Sequence, residues 1–215
     1  VQMAMQRDLQ LLIERATLWI LRNGGAPLDI SVNIAAFNTA IPALAAALDQ
    51  ALPESLRQGI EVQASERVAQ GVPPQLARRL AVLSVMSAAG DVVRLAAARG
   101  ESLEAVVVLY FAVGETFGFG WLREEAERIV ASGYWQRLAI AAAVEELTQH
   151  QRALVERIMV QTGRTDTLAI DQWCDLHRNA TDRARVLIGE MQTASGVDLS
   201  MISVAIRQLR TLTQS

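Results

Sequence analysis

Apolar side chains recur along this chain every three or four residues, and that spacing restricts the available folds more than any other feature. Leu9, Leu12, Ile13, Ala16, Trp19 and Ile20 set the pattern near the start, and Leu199, Ile202, Ile206, Leu209 and Leu212 repeat it near the end. A period of 3.6 residues puts each set on one stripe of an α-helix. A strand requires alternation, and no segment rich in Val, Ile and Thr alternates strictly. Val106-Val107-Val108-Leu109-Tyr110-Phe111 has strand propensity, but its flanks are helical and it would stand without a partner, so it reads as helix. The 34 Ala against 5 Pro and 13 Gly agree, since Ala is the strongest helix former. The expected fold is all-α: a multi-helix bundle of eight to ten helices, no sheet, with well over half the chain helical.

Punctuation divides the pattern. Arg22-Asn23-Gly24-Gly25 ends a first helix. Asp29 caps a second, with Ile34, Phe37, Ile41 and Leu44 on one face and a break or kink expected at Pro42. Pro53-Glu54 opens a third that ends near Gly71, and Pro73-Pro74 opens a fourth, very apolar from Leu76 to Ala98, in which Gly90 marks a close packing contact or a kink. Ser102 caps the next. The run from Ala105 to Phe119 has Glu115 as its only charge and should be the most buried. A turn at Gly118-Phe119-Gly120 leads to a helix reaching about Ser132. Tyr134 starts a long helix through Ile158, and one helix is expected from Trp173 to Met191. Gly196-Val197-Asp198 precedes the last. No repeat of 20–50 residues appears. The chain is read as one domain, residues 1–215, with its softest sub-boundary at 163–166.

Composition narrows function. There are 20 Arg and no Lys against 23 Asp plus Glu, for a net charge of -3. Schiff-base catalysis, a phosphate-binding P-loop lysine and carbonyl polarisation by an ammonium group are therefore excluded within this sequence. A mildly acidic chain is a poor partner for nucleic acid, whose affinity comes mainly from neutralising phosphates. The single Cys174 excludes an internal disulfide and points to a reducing, cytoplasmic setting. Val1 to Asp8 lack the apolar core of a signal peptide, and no uncharged apolar stretch is long enough to span a membrane. The helical pattern begins almost at Val1, as expected of a piece of a longer polypeptide.

The clusters with chemical potential have plainer readings. Gly114-x-x-x-Gly118-x-Gly120 follows a helix rather than a strand, so it reads as a helix end and turn, not a phosphate cradle. Cys174 and His177 lie three apart, with Asp171 and Asp175 near them, but a catalytic zinc needs three protein ligands and the only other histidine is His150. Glu145, Glu146 and His150 lack the Glu-x-x-His spacing and the second copy of a di-iron bundle. Arg178, Arg183 and Arg185 interleave with Asp175 and Asp182 at ion-pair spacing, and Arg78-Arg79 reads as a solvated pair. Trp19, Trp121, Trp135 and Trp173 fall on apolar faces. Tyr110, Phe111, Trp121 and Trp135 are expected to form one buried cluster. No catalytic, cofactor-binding or metal-ligating residue is assigned.

One ordered set of short segments is more distinctive. Arg15-Ala-Thr-Leu-Trp19-Ile-Leu-Arg22-Asn comes first. Leu80-Ala-Val-Leu-Ser-Val-Met-Ser-Ala-Ala-Gly90-Asp91-Val-Val-Arg94-Leu-Ala follows, then Tyr110-Phe111-Ala-Val-Gly114-Glu115 and Gly120-Trp121-Leu122-Arg123. Tyr134-Trp135-Gln136-Arg137-Leu138-Ala139, Glu145-Glu146-Leu147 and Gln151-Arg152-Ala153-Leu154 complete it. From Arg7 to Val160 this order resembles the helical C-terminal region of the very long-chain, NAD-specific glutamate dehydrogenases of bacteria. The chain departs from that family in having Gly90, where a Leu is usual, before Asp91. The resemblance implies that glutamate, the catalytic lysine and NAD are held upstream in the parent enzyme, which deaminates L-glutamate to 2-oxoglutarate and ammonia. It implies no cofactor in this chain, and a structural, oligomerising or regulatory role. The implied partners are upstream domains of the same polypeptide and further subunits of a homo-oligomer. A free-standing helical scaffold or protein-interaction module is the alternative.

Overall fold

The computed structural model describes residues 39, 42–44, 46–48, 50–86 and 88–214. The expectations for Leu9 to Ile20, Trp19, Arg22 to Gly25, Asp29, Ile34, Phe37 and Ile41 lie outside these residues. Helix accounts for 83% of the described residues, with no strand among them. Nine helices have both ends described. They are α1 (Glu54–Ala69), α2 (Pro74–Met86), α3 (Ala89–Arg99), α4 (Leu103–Thr116) and α5 (Phe119–Arg128). They continue with α6 (Tyr134–Thr162), α7 (Leu168–Leu176), α8 (Arg178–Thr193) and α9 (Leu199–Gln214). Helical residues at 42–44, 46–48, 50 and 51 precede them, with Leu44, Ala47 and Leu48 buried. Among the described residues no single helix is long and apolar enough to cross a membrane.

The chain divides between Val107 and Val108 into two compact units. In the first, α1 packs on α2. Ile60 and Ala64 of α1, Val72 of the connection, and Ala77, Leu80 and Ala81 of α2 are buried. Arg78 reaches Glu61 at 3.9 Å across this pair, with both side chains exposed. The apolar run expected as one helix from Leu76 to Ala98 is two: the chain turns at Ala88, and Gly90 falls in the first turn of α3. Gly100 ends α3 in left-handed backbone, and Ser102 Oγ accepts the Ala105 amide at 3.2 Å, capping α4.

The second unit is organised around α6, 29 residues long, against which α5, α7 and α9 pack. Its buried residues are Ala143, Leu147, Gln151, Leu154, Val155, Ile158 and Met159. All but Ala143 and Leu147 lie in its C-terminal half. Asp198 caps α9, its Oδ1 accepting the Met201 amide at 2.8 Å. The apolar stripe of α9, Ile202, Ala205, Ile206, Leu209 and Leu212, is buried. The long helix expected from Trp173 to Met191 breaks at His177, which joins α7 to α8 with non-helical backbone. The turn at 163–166 sits between α6 and α7, which pack together inside this unit. There Arg164 pairs with Asp166, whose Oδ1 also accepts the Ala169 amide at 3.3 Å. The hydrogen bond from Arg164 holds the Asp166 carboxyl below its ordinary range.

Candidate functional site

The glycine-rich run is taken up by packing. Gly114 lies inside α4, where a Cβ would stand 2.7 Å from Nε2 of Gln151. Gln151 is completely buried on α6. Its Nε2 donates to the Tyr110 carbonyl at 2.9 Å, and its Oε1 accepts from Arg123 Nη1 at 2.7 Å. One amide thus ties α4, α5 and α6 together. Gly118 forms the turn between α4 and α5 at φ 66°, and a Cβ there would lie 2.9 Å from Ile188 Cγ2. Both constraints favour glycine: left-handed backbone is costly for other residues, and α8 fills the space. The spaces left by Gly114 and Gly118 hold Gln151 and Ile188, so this segment does not fit a dinucleotide pyrophosphate.

A second polar joint lies where α6 meets α7. Gln161 Oε1 accepts from Trp173 Nε1 at 2.8 Å and faces His177 Nε2 at 2.9 Å. The His177 ring lies against Trp173, centroids 4.5 Å apart. Trp173 is fully buried and meets Phe117 edge-on at 6.2 Å. Arg157 donates to the Thr213 carbonyl at 3.3 Å, while its Nε is buried with no acceptor among the described residues. Burial lowers the His177 pKa from its ordinary value, and the nearby Arg157 charge lowers it further.

The residues weighed as metal ligands do not converge. Cys174 Sγ meets Arg185 Nη2 at 3.4 Å, His177 faces Gln161, and Asp175 pairs with Arg178 at 2.7 Å. Burial pushes the Cys174 thiol up, so it is kept protonated. Among the described residues no three His, Cys, Asp or Glu side chains gather into a group that would hold a metal. Arg185, expected in a surface ion pair, instead lies over the Phe117 ring at 5.8 Å. Glu145 accepts from Gln149 at 2.8 Å on the same helix.

The expected aromatic cluster is corrected by the structure. Tyr110 is buried, and Phe111 meets it edge-on at 5.5 Å. Trp121 is half-buried on α5. Trp135 is 77% exposed, and its ring partner is Tyr134, 63% exposed, at 5.3 Å. Leu138 is 50% exposed on the next turn. None of the first nine residues of α6 is buried: Tyr134, Trp135, Leu138, Ala141 and Ala142 are exposed, and Ala139 and Ile140 are half-buried. Terminal helix faces have the least of the chain to pack against, so an uncovered apolar patch is expected on Leu9 to Ile20 or Ile202 to Leu212. The first lies outside the described residues, the second is buried, and the exposed apolar residues stand instead at the start of α6.

Two residues that organise the second unit were not singled out from the sequence. Gln151 stands on the same stripe as Leu147, Leu154, Val155 and Ile158. An uncharged polar residue on an otherwise apolar stripe was its available signal. Gln161 left none, because its partners are set by the break at His177.

Residues 1–211 match the family described as Glutamate dehydrogenase, C-terminal. The chain belongs to this glutamate dehydrogenase C-terminal family. An NAD-specific glutamate dehydrogenase of Pseudomonas aeruginosa is 30% identical over 217 residues, covering all of this chain. Enzymes of the same description from Mycobacterium tuberculosis and Halomonas elongata are 26% and 25% identical, over 97% and 100% of the chain. The chain spans 13% of the length of each of these relatives. As a glutamate dehydrogenase C-terminal domain, it is one part of an architecture that continues beyond it in those proteins.

Proposed function

We propose that this chain is the non-catalytic C-terminal domain of an NAD-dependent glutamate dehydrogenase. The parent enzyme converts L-glutamate to 2-oxoglutarate and ammonia in the cytoplasm and works as a homo-oligomer. The domain contributes structure, subunit contacts or regulation, while NAD and glutamate are held elsewhere in the polypeptide. The observation that carries this reading is the match of residues 1–211 to the C-terminal family, within proteins of which the chain spans 13%. The lysine-free sequence supports it, as does the use of Gln151, Gln161 and the glycine run to join helices.

The test compares the full-length enzyme with one ending before this domain, together with the isolated chain. The isolated chain should show no glutamate-dependent NAD reduction. Removing the domain should alter the oligomeric state, thermal stability or turnover of the remainder. Saturable micromolar NAD binding by the isolated chain, or a truncated enzyme identical to the intact one in all three respects, would refute the reading.

A further inference from the structure

Four large apolar side chains lie open within nine residues: Val130, 91% exposed, then Tyr134, Trp135 and Leu138. Ala141 and Ala142, also exposed, extend the face along α6. Tyr134 and Trp135 alone leave roughly 300 Å² of aromatic surface uncovered, from the 150–250 Å² each such side chain carries. Those two rings alone equal the lower end of the largest apolar patch on a typical monomer, a patch that is often functional, and Val130 and Leu138 add to it. The other exposed large apolar residues of this unit, Val160, Leu168, Leu176, Val186 and Val204, are scattered over four helices.

The face is also held in shape. The Ser132 amide and hydroxyl both donate to Gln136 Oε1 at 2.7 Å, fastening the incoming chain to the first turn of α6. An ordered aromatic pair costs little further entropy when a partner arrives. Arg137 is exposed on the same turns, with no ionic partner among the described residues.

We propose that this face docks on the part of the same polypeptide that lies outside residues 1–215, through an apolar surface bearing a carboxylate opposite Arg137. The proposal rests on the reading of the chain as one part of a longer dehydrogenase. Three observations favour this occupant. The chain spans 13% of its relatives, so most of each such polypeptide lies outside the domain. The composition of the face, aromatic and aliphatic anchors with an Arg at the rim, is that of a protein–protein hot spot. A second copy of the face is disfavoured by charge: a twofold pairing centred on Leu138 would bring the two Arg137 cations together.

The experiment places a photo-crosslinking residue, p-benzoylphenylalanine, at position 135 of the full-length enzyme, and separately at 138 in case the first variant is not produced. After irradiation, the joined peptides are identified by mass spectrometry. The expected product links position 135 or 138 to a peptide outside this domain, with an acidic residue next to the attachment point. It should be lost when the enzyme is unfolded in urea before irradiation. A crosslink to another residue of this domain, in its own chain or a second copy, overturns the proposal and leaves the domain's membership of the enzyme intact. No crosslink at either position also overturns it.

Discussion

Trp173 and Trp135 carry the same side chain in opposite surroundings. Trp173 is 0% exposed and hydrogen-bonded, so Trp173→Ala should cost about 3–5 kcal/mol in urea unfolding of the isolated chain. Trp135→Ala should move the same stability by no more than about 0.5 kcal/mol, as for other exposed positions. The sequence shows both on apolar helix faces and cannot tell them apart, because which turns of a helix are covered depends on where neighbouring helices end. Gly114 and Gln151 offer a sharper test. Gly114→Ala forces Gln151 off Tyr110 and Arg123, losing bonds of which the charged one alone is worth about 1.5–3 kcal/mol. That exceeds the gain of about 1 kcal/mol from placing Ala in a helix. In a Gln151→Ala background the obstruction is gone, so Gly114→Ala should become stabilising. A double-mutant cycle measures this change of sign, and additive effects would refute the account. The pair is 37 residues apart in sequence, so no local pattern shows that residue 114 is glycine because Gln151 fills the space beside it.

At the scale of elements, most helix ends were legible because each has a chemical marker: Pro53, Gly100, Ser102, Gly163 and Asp198 all stand at or beside an observed boundary. The break at His177 carries no proline or glycine signal of that kind, while the break at Ala88 falls two residues before Gly90, where a close contact or a kink is expected. His177 leaves the helix where it also faces Gln161 and stacks on Trp173, interactions that exist only once α6 and α7 have packed. This junction predicts a pH response, shared with His150, whose pKa burial lowers, with Glu146 raising it and Arg210 lowering it. Both histidines lie below their ordinary value of 6.5 in the folded chain. The unfolded chain therefore takes up protons first, and stability falls as pH drops through 6.5 and levels off below the folded values. Above that point these groups contribute no pH dependence. The urea midpoint should decline between pH 7 and pH 5, and replacing both histidines by Asn should flatten that decline; an undiminished slope would refute the assignment. Helix α6 gives a second prediction at this scale. In the isolated chain, amides of residues 135–142 should exchange with deuterium faster than those of 150–159, because none of the first range is buried while Gln151, Leu154, Val155, Ile158 and Met159 of the second are.

For the whole molecule, an all-α architecture was legible from period and composition, and family membership from an ordered set of short segments. The division between Val107 and Val108 was not, since it falls inside the continuous helix α4. The isolated chain should give a far-UV circular dichroism spectrum dominated by helix; a β-type spectrum would contradict the fold. The unequal covering of α6 has a mechanical consequence. A rigid rod whose buried residues run from Ala143 to Met159, with none among its first nine, is a lever. Trp135 stands twelve residues before Leu147, the start of the continuous grip, an arm of about 18 Å at 1.5 Å per residue. A tilt of about 5° at that grip would carry the indole through roughly 1.5 Å on this arm. Small repacking among α5, α7 and α9 is thereby magnified at the tip of α6, and a load applied at the tip is felt in the packing of all three.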